Sequence, residues 1–280
     1  MLATISYWSL PGGLEGTLEI EKALDLTKAA GYQGLELAVA ETGVLTPSTD
    51  QATCEKYRDL GAKKGIALET LASGMSWGCS PTHLNPEVRA KSLELHAGAL
   101  QRAAWLGAKS MLFVPGAVKV PWDPNYKMVP YEKASAWARE GVATLAKTAE
   151  KVNVELCVEN VWNGLFYSPL ELASVVDDVK SAKVGIYFDV GNVLGYHQCP
   201  VHWIKFLGKR IKRVHIKDFK TSVGNMSGFC DLLEGDVPWK DTMAALKEIG
   251  YDKTLVAEMI PPAPGLLERT RAALTKIMAM

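Results

Sequence analysis

Eight times along the chain a short run of β-forming apolar residues gives way to a longer stretch of helical spacing, and few folds accept that rhythm. The apolar runs fall at 3–8, 34–40, 66–72, 110–115, 154–160, 184–190, 211–217 and 254–260. Helical periodicity fills 17–30, 50–64, 86–106, 131–151, 168–180, 200–207, 238–249 and 264–278. Strands that alternate with helices in this way predict an α/β fold, a (β/α)8 TIM barrel, as a single domain over residues 1–280. The rival, a doubly wound open sheet, calls for a glycine-rich phosphate turn after the first strand. Here that strand runs into "YWSLPGGLEG", whose Pro11-Gly12-Gly13 has the wrong spacing.

Punctuation agrees with the rhythm. "SPLE" at 168–171 reads as a capping box, with Ser168 as N-cap, Pro169 at the first helical position and Glu171 at the third. "NPEV" at 85–88 opens a helix in the same manner. Three segments, "TKAAGYQGLEL", "AWLGAKSML" and "KEIGYDKTLVAE", share one order: helix, glycine, a few residues, strand. No linker interrupts the sequence.

Charge narrows the function classes. Lys plus Arg and Asp plus Glu each total 31, for a formal net charge of zero, and no basic block occurs. A nucleic-acid partner is therefore not expected. No apolar run reaches the roughly 18 residues of a membrane span. The N-terminal "MLATISYWSL" lacks the basic region and apolar core of a signal peptide. Cys54, Cys79, Cys157, Cys199 and Cys230 are scattered, without a C-x-x-C pair. They read as free thiols in a reducing, cytoplasmic setting.

In a barrel of this type, chemistry collects at the C-terminal ends of the strands. Four of the last strands end in a candidate metal ligand: Glu159 in "ELCVENVW", Asp189 in "IYFDVGN", His215 in "KRVHIKD" and Glu258 in "LVAEM". Each spacing is about one or more βα units, so strands five to eight would bring the four to one point. Three carboxylates so gathered would repel and take up protons unless a cation joined them. One divalent ion is expected. The oxygen-rich set with one imidazole suits Mn²⁺ first, with Mg²⁺, Co²⁺ and Zn²⁺ as alternatives. A single carboxylate at a strand end is more often an N-cap or a salt-bridge partner; four on successive strands are more specific.

The segments "CVENVW", "YFDVGNVL", "RIKRVHIKDFK", "LLEGDVPWKDTMAALKEIGYD" and "LVAEM" resemble the sugar phosphate isomerase/epimerase superfamily, which has a xylose isomerase-like TIM barrel. They are most similar to its hexulose-6-phosphate isomerase and L-ribulose-5-phosphate 3-epimerase branch. The resemblance is strongest over 150–260 and mainly architectural before that. It implies that Glu159, Asp189, His215 and Glu258 hold the metal and that Glu159 and Glu258 serve as acid and base. The implied reaction moves a proton next to a carbonyl through a metal-stabilised enediolate, as an isomerase or epimerase of a small sugar or sugar phosphate. An inosose-dehydratase-like lyase of the same superfamily is the alternative. A homo-oligomer would be in keeping with such relatives. Two departures from the non-phosphorylated ketose epimerases stand out. Asn192 replaces their histidine three residues after the aspartate, and "HIKDFKTS" supplies Lys217 and Lys220 in place of their arginine. Both lean towards the sugar-phosphate branch.

Four residues are candidates for contact with substrate. Lys217 is two residues beyond His215, so strand alternation points both inward; a salt bridge in the barrel mouth is its other reading. Asn192 follows Asp189 closely. His83 lies in the loop after the third strand, where a solvated histidine is the plainer reading. Trp162, like Trp8, Trp77 and Trp122, falls near a strand end, where aromatics either wall a sugar from water or pack the core. Glu36 and Glu69 are read as ending the second and third strands, for substrate contact or interior packing.

Overall fold

The computed structural model describes residues 1–280 and contains the expected closed barrel of eight parallel strands. The strands are β1 (Leu2–Ser6), β2 (Gly34–Val39), β3 (Thr70–Ser73), β4 (Ser110–Phe113), β5 (Glu155–Glu159), β6 (Val184–Asp189), β7 (Ile211–Ile216) and β8 (Thr254–Ala257). Each pairs with the next, and β8 closes on β1 through Leu2–Thr254 to Ile5–Ala257. The helices are α1 (Ile20–Ala29), α2 (Gln51–Lys64), α3 (Pro86–Trp105), α4 (Tyr131–Val152), α5 (Pro169–Val179), the one-turn α6 (Val190–Leu194), α7 (Pro200–Leu207), α8 (Trp239–Glu248) and α9 (Leu266–Met278). None is long and apolar enough to cross a membrane.

Strands buried on both faces explain the continuous apolar runs. Ala72, Leu112, Val114, Cys157, Tyr187 and Val256 form one apolar cluster, and a much larger one is built from the other strand faces and the surrounding helices. Most helices stop as read. Gly31, Gly107 and Gly250 take φ near 80°. A Cβ at Gly31 or Gly250 would touch nothing, so backbone conformation, not space, selects glycine there. All five cysteines are free.

Four local expectations change. The third strand is Thr70–Ser73, not 66–72; Ala67 makes only an isolated bridge to Gly34. Apolar Ile66 and Leu68 mimic a strand here, and Glu69 precedes β3 instead of ending it. Glu36 lies within β2, completely buried. The capping box at α5 is half made. Ser168 Oγ accepts from Leu170 N at 3.2 Å, but Glu171 is drawn to the Tyr131 hydroxyl at 2.6 Å. Two small elements escape periodicity altogether, α6 and a ribbon pairing Asp218–Phe219 with Phe229–Cys230.

His96 on α3 is fully buried between β3 and β4. Its Nδ1 donates to Ser92 O at 2.7 Å, Nε2 lies 3.2 Å from Ser76 Oγ, and its ring meets Phe113 edge-on at 4.8 Å. Burial pushes it down from 6.5 to about 4. The unfolded chain therefore takes up this proton below 6.5 while the native protein resists it until about 4. Stability is full above pH 6.5 and falls as pH drops through that window, by roughly 3 kcal/mol. Denaturant unfolding at pH 7 and pH 4.5 checks this: His96→Gln is expected to show a smaller loss than the parent.

Candidate metal centre

The last four strands deliver their polar residues to one end of the barrel. Glu159 ends β5, Asp189 ends β6, His215 sits near the end of β7, and Glu258 directly follows β8. One donor atom from each lies within 4.8 Å of the other three, and all four residues are buried. A register step between β6 and β7 helps: Ile186 pairs with Ile211, but Tyr187 pairs with Arg213, so Asp189 stands opposite His215. A bulge of this kind re-aims the side chains that follow it.

Each candidate ligand is held by its own supports. Asp189 divides its carboxylate: Oδ1 accepts from Asn192 N at 2.8 Å as the cap of α6, leaving Oδ2 for the centre. Asn160 fixes the same residue through its backbone, accepting from Asp189 N at 2.8 Å and donating to Asp189 O at 2.9 Å. Asn192 Nδ2 donates to Asn160 O at 2.9 Å. The glycine of "FDVGN" is required by contact, since a Cβ on Gly191 would lie 2.7 Å from Lys217 Cβ and 3.0 Å from its backbone. His215 is oriented from behind: Nε2 lies 2.8 Å from Glu36 Oε1, while Nδ1 faces Glu159 at 3.3 Å and Glu258 at 3.2 Å. The other Glu36 oxygen accepts from the Tyr187 hydroxyl. A carboxylate behind a ligating imidazole is a recurrent device for fixing its tautomer.

These residues fit a divalent cation. Asp189 Oδ2, His215 Nδ1 and Glu258 Oε2 are buried and have no hydrogen bond of normal geometry. Buried polar atoms are rarely left so. What faces the carboxylates is bare positive charge: Lys217 Nζ stands 3.3 Å from Asp189 Oδ2 and 2.5 Å from Glu258 Oε2. The protonation pattern follows. Burial pushes the Glu159 carboxyl up to about 7, against His215. Burial also pushes Glu258 up, but Lys217 and His215 outweigh it and hold that carboxyl at about 2. Burial raises Asp189 as well, opposed by Lys217 and His215. For Lys217 burial acts downward, and Asp189, Glu258 and Glu159 more than offset it.

Lys217 thus occupies oxygens that a metal would need. Lys217→Met is expected to lower the melting temperature of metal-free protein, because two buried carboxylates lose their counter-charge. The same change should tighten Mn²⁺ binding by about tenfold or more, since no ammonium competes at close range. Thermal melts with and without metal, and calorimetric titration, read both effects.

Above the four ligands opens a cavity of about 670 Å³. Glu159, Glu258, Lys217, Asn192 and Trp162 line it, as do Trp8, Trp77 and Trp122; Asp189 and His215 are completely buried. Trp162 Nε1 donates to Asn192 O at 3.0 Å, tying wall to floor. His83 is not among the lining residues. It lies in the turn just before α3, where its Nδ1 accepts from Asn85 N at 3.0 Å and its carbonyl accepts from Arg89 at 2.8 Å. Sequence reasoning did not single out Asn160, although it stands inside the motif "VENVW", nor Asp218. The Asp218 carboxylate, 1% exposed, accepts from the backbone of Phe219, Leu233 and Val237 and from Trp239 Nε1. It thereby fixes the long loop after β7.

Comparison with known proteins places the chain among barrels of this kind. A family model described as a xylose isomerase-like TIM barrel matches residues 24–277. D-psicose 3-epimerase of Ruminiclostridium cellulolyticum is 23% identical over 258 residues, 90% of this chain and 81% of that protein. An uncharacterised protein of Methanocaldococcus jannaschii is 27% identical over 184 residues, 64% of this chain; the alignment spans 60% of that relative's length. Among solved structures, D-psicose 3-epimerase with D-tagatose from Clostridium cellulolyticum superposes with a TM-score of 0.81 at 19% identity, over 100% of this chain and 99% of that one. The structure of L-ribulose 3-epimerase gives 0.78 at 18% identity, over 99% and 94%.

Proposed function

The chain belongs to the xylose isomerase-like TIM barrel family, and from that premise we propose that it is a metal-dependent sugar isomerase or epimerase that moves a proton on a carbon next to a carbonyl. One observation carries the reading. One donor atom from each of Glu159, Asp189, His215 and Glu258 converges beneath a cavity that both Glu159 and Glu258 line. The relatives support the reaction class, since psicose 3-epimerase acts at the carbon beside a ketose carbonyl.

Glu159, Asp189, His215 and Glu258 would hold the ion, with Mn²⁺ best suited to the donor set and Mg²⁺, Co²⁺ or Zn²⁺ as alternatives. When bound, the cation supplies Lewis acidity that polarises the substrate carbonyl. The chain's own residues do the rest. Two carboxylates, Glu159 and Glu258, reach the substrate space from strands three apart, one to take the proton and one to return it. Lys217 places an ammonium beside them, suited to a substrate oxygen that gains negative charge. Asn192 has its backbone N–H and amide nitrogen engaged by Asp189 and Asn160; its amide oxygen takes no bond from the protein and suits a sugar hydroxyl. Trp162 walls the site from water.

Proton NMR in D2O tests the reading. Mn²⁺-loaded protein is incubated with D-psicose, D-tagatose, D-fructose and their phosphates. Deuterium appearing at C3 indicates epimerisation, and at C1 or C2 aldose–ketose isomerisation. A dehydrated product would shift the assignment to lyase chemistry, and no exchange with any sugar would sink it.

A further inference from the structure

The cavity carries features that discriminate among sugars. Its volume of about 670 Å³ lies in the upper half of the roughly 300–1,000 Å³ range of ligand pockets. Fourteen of its 23 lining residues are hydrophobic. Trp8, Trp77 and Trp122 come from the loops after β1, β3 and β4, and Met226, Ile260 and Leu266 from the segments after β7 and β8. Trp77 and Trp122 meet edge to face with ring centres 4.7 Å apart, and Trp122 is 51% exposed at the rim.

Nothing in this lining is prepared for an anion. Only two lining residues are cationic: Lys217 stands at the metal-ligand cluster, at the reacting end, and Arg269 is held elsewhere. Lys217 contacts Asp189 and Glu258; Arg269 Nε lies 2.5 Å from Asp231 Oδ2, and another of its nitrogens donates to Pro264 O at 2.7 Å. Four carboxylates line the same space, Glu159, Asp218, Asp231 and Glu258. Backbone donors are scarce as well. Phosphate-binding barrels use N–H groups of the loops after strands seven and eight and a nearby helix N-terminus. Here the segment after β8 reads Ile260-Pro261-Pro262-Ala263-Pro264, and proline has no N–H to give. At the following helix, Leu266 N already donates to Ala263 O at 3.1 Å. Glu268 stands in its first turn, where a second negative charge would be repelled.

We propose that the substrate is an uncharged keto sugar bearing a second uncharged ring, glycosyl or aryl, that packs on the tryptophan wall, and not a sugar phosphate. The proposal rests on the proton-transfer reading for the reacting end and departs from the sugar-phosphate branch that the sequence resembles. Tryptophan offers a broad apolar face to the C–H face of a ring and a polar edge to its hydroxyls.

A matched trio isolates the substituent: D-fructose, D-fructose 6-phosphate and isomaltulose, which carries hydrogen, phosphate or a glucosyl ring on the same oxygen. Binding to Mn²⁺-loaded protein is read by tryptophan fluorescence, independently of turnover. Isomaltulose is expected to bind about tenfold or more tighter than fructose, with the phosphate no tighter than fructose. Trp122→Ala should bring the isomaltulose-to-fructose ratio towards one. Tightest binding by fructose 6-phosphate, or equal binding of isomaltulose and fructose, would overturn the proposal. Deuterium exchange on the same samples separates the two readings. Exchange led by the phosphate sinks the substrate class but keeps the reaction. Preferred binding of isomaltulose, with no exchange from any sugar in the wider panel, keeps the substrate class but sinks the reaction.

Discussion

Glu258→Gln is expected to cut the rate of deuterium exchange by about 10²–10⁴-fold, the usual worth of a positioned acid or base. The substitution keeps the side-chain shape and one carbonyl oxygen, so the fold should survive. Glu258 is held in its ionised form by Lys217 at 2.5 Å and His215 at 3.2 Å. An amide in that place can neither take a proton nor balance the ammonium. Metal content measured on the same sample separates lost proton transfer from lost metal. A variant that retains metal and exchanges at the parental rate would remove Glu258 from the chemistry.

The second large effect lies one layer deeper. Glu36 touches no cavity space; it is 0% exposed and grips both His215 Nε2 and the Tyr187 hydroxyl. Glu36→Ala leaves two buried polar groups unpaired, which should cost about 3 kcal/mol or more of stability. It also frees the imidazole to turn, which should weaken Mn²⁺ binding by about 10–100-fold. Glu36→Gln, which keeps an acceptor for His215, should restore much of the metal affinity. That rescue distinguishes orientation of a ligand from packing, because a packing defect alone would not respond to the acceptor.

The helix–glycine–strand order and the two-faced apolar runs are local signals, so the barrel was legible. The four candidate ligands were legible as strand-end residues that the barrel brings together, because each closes a strand that periodicity already defines. The supports were harder. Glu36 and His215 are 179 residues apart, and a carboxylate within an apolar strand says nothing by itself about which partner answers it. Asn160 hid beside a ligand, and α6 hid because its cap is the ligand Asp189 itself. Loop geometry was least legible: the bonds that fix Asp218 and the proline-rich segment after β8 acquire meaning only once the barrel closes around them. The lean towards phosphate rests on Asn192, Lys217 and Lys220; that Lys217 lies beside Asp189 and Glu258 is visible only in three dimensions.

The central claim is that one divalent ion belongs among Glu159, Asp189, His215 and Glu258. Calorimetric titration of Mn²⁺ into metal-stripped protein tests it most directly, alongside Asp189→Asn. That substitution keeps an oxygen for the α6 cap while placing an amide nitrogen where Oδ2 faces the centre. One site per chain is expected, weakened in the variant by more than the roughly 100-fold upper end of outer-shell changes. Absence of binding to the parent, or equal affinity in the variant, would contradict the account.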